Sequence, residues 1–238
     1  MSDSPDQRPL FDAYATDYDA ALAQGISVSG EGKDFFAQGR TAWLARRLHQ
    51  LGEHPQTVLD FGCGTGSATP FLLGMPGIIS VVGMDVSATS IETARKQHGS
   101  ARASFQTLQT STPAAQTDLA FCNGVFHHIP LAERAAAMRF IHQSLRPGGL
   151  FAFWENNPWN PGTRLVMSRI PFDRDAITLT PPEARGLLRQ NGFAILSTDF
   201  QFIFPKFLSW LRPLEKIFAP LPLGAQYLVL ARKISASV

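Results

Sequence analysis

In the run Val58-Leu59-Asp60-Phe61-Gly62-Cys63-Gly64-Thr65-Gly66, a carboxylate stands immediately before a glycine-rich turn. Between an apolar strand and a helix, such a turn usually cradles a phosphate, because bare backbone N–H groups and the helix N-terminus favour negative charge. Here an anion already points into the cradle, and no Lys or Arg occurs from Leu48 to Ala94 to offset a second one. The pattern therefore asks for a cationic or zwitterionic ligand rather than a polyanion.

A second acid follows at the end of Ile78-Ile79-Ser80-Val81-Val82-Gly83-Met84-Asp85. In a strand–turn–helix–strand unit the next parallel strand ends beside the first, where a carboxylate can accept both hydroxyls of a ribose. S-adenosylmethionine meets both demands, since it is a nucleoside that carries an ammonium and a sulfonium and no phosphate. Two further blocks follow in order: Asp118-Leu119-Ala120-Phe121-Cys122-Asn123-Gly124-Val125-Phe126-His127-His128-Ile129 and Leu145-Arg146-Pro147-Gly148-Gly149. With these blocks the sequence resembles the class I S-adenosylmethionine-dependent methyltransferases, in particular the small-molecule branch that includes ubiquinone and menaquinone biosynthesis enzymes. The likeness covers residues 55–155 and a family-like opening from Phe11 to Asp19, and fades beyond Glu155.

The resemblance implies roles residue by residue. Gly62, Gly64 and Gly66 leave space for the methionine end of the cofactor, with Cys63 and Thr65 pointing away or bordering it. Asp60 faces the cofactor's amino group, Asp85 holds the ribose diol, and Val86 packs on the adenine ring. Where the family usually has an adenine-binding Asp, this chain has Leu108-Gln109-Thr110-Ser111. Gln109 can accept the same hydrogen bond, Thr110 is the alternative, and a plain loop is the competing reading. Asn123, Gly124 and Val125, with His127 and His128, form the loop over the transferring methyl. Histidine has the neutral-range pKa of a general base, but a base is needed only if the acceptor must lose a proton. His127 is read as facing substrate and His128 as anchoring the cofactor loop, against a purely structural packing of the pair. Glu155 and Asn156 are candidates to orient an acceptor, with a polar strand end as the rival explanation. Tyr14, with Phe11 and Tyr18, is read as a lid that excludes water over the cofactor, or else as an N-terminal helix packed on the sheet. The implied product is S-adenosylhomocysteine, and no metal enters this reading.

These residues need a scaffold that brings several strand ends to one edge. Strand-like and helix-like runs alternate along the 238 residues, which predicts an α/β sheet covered by helices on both faces. Strands are predicted at 58–61, 78–84, 103–108, 119–122, 150–154, 193–198 and 226–232, and helices at 35–51, 67–73, 88–98, 131–145 and 181–190. The resemblance makes this a Rossmann-like, seven-stranded, mostly parallel sheet whose last strand is antiparallel. The length suits a single domain over 1–238, with a lid and helix at 1–54, a cofactor-binding core at 55–155 and a substrate side with the C-terminal strands at 156–238.

A formal net charge of +2 with 17% charged residues provides no basic face for a nucleic acid, so a small-molecule or lipid-like acceptor is expected. Two cysteines, a polar N-terminus without a secretory pattern and the lack of a spanning apolar stretch predict a soluble cytoplasmic protein. Between Glu155 and Thr180, an irregular segment with Trp159, Arg164, Arg169, Phe172, Asp173 and Arg174 is a candidate cavity lining. The insertion from Phe200 to Gly224 mixes aromatic and aliphatic residues with Lys206, Arg212 and Lys216. Contact with a bilayer surface is one reading of it, and burial against the core or a second subunit is the other. Two functional rivals remain: a non-catalytic S-adenosylmethionine-binding relative, and a nicotinamide-dependent oxidoreductase, which Asp60 and Ser67 oppose.

Overall fold

Successive side chains of a strand point to opposite faces, so near-continuous apolar runs demand a sheet buried on both faces. The computed structural model describes residues 25–173 and 176–234, with Phe172 described in its backbone only. Its strands are β1 (Thr57–Phe61), β2 (Ser80–Asp85), β3 (Ala103–Thr107), β4 (Thr117–Asn123), β5 (Leu145–Asn156), β6 (Phe193–Gln201) and β7 (Gln226–Lys233). They form one sheet in the order β3-β2-β1-β4-β5-β7-β6. The first five run parallel, and β7 is antiparallel to both β5 and β6, as expected for the last strand. The covering helices are α1 (Lys33–Leu51), α2 (Thr69–Leu73), α3 (Ala88–His98), α4 (Leu131–Ser144), α5 (Pro161–Arg169), α6 (Pro181–Gln190) and α7 (Glu215–Phe218).

Alternation sorts the side chains into two cores. Leu59, Phe61, Phe151, Phe153 and Val229 pack with Met138 and Ile141 of α4 and Leu188 of α6. Val58, Ala152, Trp154, Leu228 and Leu230 pack with Leu44 and Leu48 of α1 and Leu72 of α2. Full burial of side chains of this size contributes about 1.5–3 kcal/mol each, before the cost of ordering them. Asp60 shares the parity of Val58, so the same alternation aims it at the α1 face.

The structure departs from the sequence expectation in three places. The irregular segment after Glu155 contains α5, which Asn160 caps by accepting from the Thr163 N–H at 3.0 Å. The predicted helix at 67–73 shortens to α2 because the glycine turn continues to Ser67 and Ala68. The fifth strand begins at Leu145, which pairs with Thr117 before a bulge, and not at Leu150.

Close packing also fixes the glycine turn against β2. A Cβ on Gly83 would lie 2.5 Å from the Phe105 ring and 2.9 Å from Cys63 Sγ. Replacing Gly83 by Ala is therefore expected to destabilise the fold by about 1–3 kcal/mol, measured as a lowered urea midpoint at unchanged slope.

Candidate active site

Because β1, β2, β4 and β5 are parallel, their carboxyl ends deliver Asp60, Asp85, Asn123 and Asn156 to one edge of the sheet. The turn after β1 is tied to β2 by Gly62 N–H and Cys63 N–H, which both donate to the Met84 carbonyl at 2.7 and 3.0 Å. Asp85 braces it from the side, one carboxylate oxygen accepting from Gly64 N–H and the other from Ser87 N–H, each at 2.9 Å.

The three glycines serve different ends. Gly62, Gly64 and Gly66 all have positive φ, at 72°, 53° and 79°. Added methyls at Gly62 and Gly66 would strike Val125 and the Phe105 and His98 rings, whereas nothing lies within 4 Å of one at Gly64. Gly64 alone keeps open space for a ligand, so the room expected at Gly62 and Gly66 is taken by packing. Val125 packs directly against Gly62 of the turn.

Asp60 is 3% exposed and its Oδ2 has no hydrogen-bond partner. Burial first, and then the nearby Asp85 charge, push its pKa up to about 7, while Arg40 of α1 pulls the other way. Arg40 corrects the expectation of an acid without a nearby base. It reaches the site from the buried stripe of α1 and also donates to Gln226 Oε1 at 2.9 Å. An Arg between Phe36 and Leu44 on that stripe was the available signal. Asn123 Oδ1 is a second buried oxygen without a partner. Two orphaned acceptors beside open backbone fit an ammonium-bearing ligand, the part of S-adenosylmethionine that Asp60 is expected to meet.

Val86 is 41% exposed, which suits packing on a ring. Gln109 donates to the Val86 carbonyl at 3.2 Å, which leaves its own carbonyl oxygen able to accept. Thr110 is held by Thr107 at 2.8 Å, and Thr65 is half-buried on the turn. Cys63 points toward β2, and burial together with Asp60 and Asp85 keeps its thiol neutral. Tyr14, Phe11, Tyr18 and Arg174 lie outside the described residues.

The histidines sit on the other side of Asn123. His127 Nδ1 lies 2.6 Å from Glu155 Oε2, and its Nε2 lies 3.5 Å from Asp173 Oδ1, which is also 3.2 Å from His128 Nε2. Although burial alone would lower it, the two carboxylates raise the His127 pKa to about 10. The flanking carboxylates thus favour the imidazolium form of His127, which runs against its expectation as a proton acceptor. His128 is lowered, mainly by burial and by its charged neighbour. Glu155 is 1% exposed, and its other oxygen accepts from Phe126 N–H at 2.8 Å. It therefore positions His127 from below and does not reach an acceptor. His127, His128 and Asp173 offer ligand atoms within 4.8 Å of one another, a spacing that one metal ion could also use. Shared protons already satisfy the same atoms.

Above these residues opens a cavity of about 380 Å³. Asn123, Gly124, His127 and Asn156 line its floor, Phe35 and Phe36 of α1 one wall, Met167 and Ile170 another, and Phe202 to Pro205 with Phe207 its rim.

Two outcomes follow. S-adenosylhomocysteine binding should strengthen as pH rises through about 7, because the raised pKa leaves Asp60 uncharged below it; calorimetry on Asp60→Asn should show binding weakened about tenfold or more and no longer pH-dependent over that range. In Glu155→Gln, the buried His127 loses its main partner, and a stability loss of about 3–5 kcal/mol with an imidazole titration moved down from about 10 is expected by denaturation and NMR.

The family model described as "Methyltransferase domain" matches residues 59–151. The chain is 31% identical over 115 residues to the trans-aconitate 2-methyltransferase of Azoarcus sp. (strain BH72), covering 48% of this chain and 45% of that one. It is 29% identical over 155 residues to the trans-aconitate 2-methyltransferase of Methylobacterium radiotolerans, covering 64% and 59%. The chain thus spans about half the length of the curated relatives it matches. Among solved structures, human N-acetylserotonin methyltransferase in complex with S-adenosylmethionine superposes with a TM-score of 0.63 at 18% identity, over 96% of this chain and 60% of that one. The turn after β1 and its bracing acid both lie within residues 59–151, the part of the chain that is similar to a methyltransferase domain.

Proposed function

We propose that this protein catalyses methyl transfer from S-adenosylmethionine to a small-molecule acceptor with an apolar body. The observation that carries this reading is the buried, partnerless oxygen of Asp60 beside the glycine turn, whose charged neighbour Arg40 also lines a largely apolar cavity large enough for one small molecule. S-adenosylmethionine, when bound, supplies a methyl group activated by its sulfonium. In this reading Asp60 and Asn123 hold the amino end, Gly64 gives backbone access, Asp85 holds the ribose, and Val86 with Gln109 or Thr110 holds the adenine. Residues 55–155 form the cofactor half and residues 156–234 most of the acceptor half of one domain.

The acceptor's reacting atom would sit over Asn123 and Gly124, and the apolar walls exclude water and fix its approach, where methyl transfer gains most of its rate. With His127 held as a cation by Glu155 and Asp173, the favoured acceptors are those that need no proton removed by it, such as a carboxylate or a free amine. The names of the relatives make trans-aconitate the first compound to test. An acceptor with fewer charges fits better, since Arg212 is paired with Glu31 and Arg40 with Gln226. The near-neutral net charge favours a small molecule over a nucleic acid. Among the described residues no helix is long and apolar enough to cross a membrane. Two buried free thiols, Cys63 and Cys122, support placing the reaction in a reducing cytoplasm.

Incubation with methyl-labelled S-adenosylmethionine and a metabolite extract should yield a labelled product. Cofactor binding without turnover would favour a non-catalytic role instead. Met167→Trp should fill the cavity and raise the acceptor KM about tenfold or more while leaving S-adenosylhomocysteine affinity unchanged. A parallel loss of that affinity would mean that the cavity belongs to the cofactor.

A further inference from the structure

Resting on the acceptor assignment above, we propose that the segment between β6 and β7 is a docking face that seats the mouth of the cavity on an anionic lipid bilayer. From Phe207 to Leu221 every third or fourth residue is apolar and exposed: Phe207 77%, Trp210 74%, Leu214 40%, Ile217 70% and Leu221 47%. After a kink at Leu208, turns of 3₁₀ and α-helix run to Phe218, and within them the spacing of Trp210, Leu214 and Ile217 suits one side. Scattered exposed apolar residues are ordinary, but a contiguous row that includes Trp and Phe is the pattern of an interfacial segment.

The row is exposed although the segment is firmly folded. Glu215 accepts from the N–H groups of Phe202, Ile203 and Phe204 at 3.3, 3.1 and 2.9 Å. Phe202 turns inward against Phe35 and Phe36, and the Phe200 N–H donates to the Ala219 carbonyl at 2.7 Å. The segment thus already supplies what the core needs, and the outward row is surplus to folding.

Charge identifies the occupant. Glu215 is spent on backbone, and Glu31 pairs with Arg212, whose guanidinium also lies 4.4 Å over the Phe35 ring. Among the described residues from Phe202 to Ala225, the exposed charges are therefore Lys206 and Lys216, both positive. A face of aromatic and aliphatic side chains flanked by lysines matches an anionic headgroup region over an acyl interior. Phe207 both lines the cavity and stands exposed in the row, so an acceptor can pass from the bilayer into the site without crossing water.

The test is flotation with vesicles of phosphatidylcholine and phosphatidylglycerol against vesicles of phosphatidylcholine alone. Wild-type protein should float with the anionic vesicles. Lys206→Glu/Lys216→Glu should bind them about 25-fold more weakly or worse, at about fivefold per lysine. Trp210→Ser/Ile217→Ser should stay at the bottom of the gradient, with its thermal midpoint unchanged because both side chains are solvent-facing. Equal behaviour of wild type and both variants, or no flotation at all, overturns the proposal. So does a lipid-free dimer in sedimentation velocity that Trp210→Ser/Ile217→Ser dissociates, since the row would then be covered by a second copy. Calorimetry with S-adenosylhomocysteine in the same preparations separates the two readings. Intact uptake without vesicle binding removes only the docking face, whereas vesicle binding without uptake removes the methyl-transfer reading.

Discussion

The site is organised around a carboxylate that the fold buries without fully satisfying. Strand parity turns Asp60 toward α1, the glycine turn closes over it, and Asp85 adds a second negative charge. Arg40 offsets part of this, yet the group still holds its proton up to about pH 7. A buried acid in that condition destabilises its own ionised form, and an arriving cation relieves the strain. The burial of Asp60 therefore favours a positively charged group beside it. The same debt sets the sign of the free protein's own pH response. Because the pKa is raised above its ordinary 3.8, this group's contribution to stability is full below about 4 and falls away as pH climbs toward 7.

The acceptor half is held by a different device. Glu155 of β5, His127 after β4 and Asp173 after α5 form a buried chain of alternating charge that joins three separate stretches of backbone. Arg134 of α4 extends the tie by donating to the carbonyls of Ile129 and Ile177, while the Ile177 N–H returns to the His127 carbonyl. Removing one member of such a network leaves a desolvated charge alone, so its parts hold position strongly. The histidine side of the cavity is accordingly held by charge as well as by packing.

The cofactor half was legible in sequence because its parts are local. A strand, a glycine turn and an acid at a strand end are short patterns with one geometric outcome, and the antiparallel last strand followed from the resemblance they carried. The partners that complete the site were not legible, since they meet only through tertiary packing. Arg40 is remote from Asp60 in sequence, and Asp173 meets the histidines only because the chain after α5 folds back over them. Reading Glu155 as an acceptor-facing group failed for a related reason. Its polarity marked a strand end, but strand parity buried it beneath His127. The helix α5 was written in Asn160-Pro161, a cap followed by a residue preorganised for the first turn, and was masked by the irregular composition around it.

Gln201 at the end of β6 and Gln226 at the start of β7 are ladder partners, so the long insertion leaves and re-enters the sheet at neighbouring points. Its ends are closed by an antiparallel pair whatever lies between them, and lengthening such a closed excursion costs only slowly growing entropy. The insertion is thus a module mounted on a sheet edge remote from β1 and β2, and changes in its length or sequence need not disturb the glycine turn and its bracing acid at the other side of the sheet.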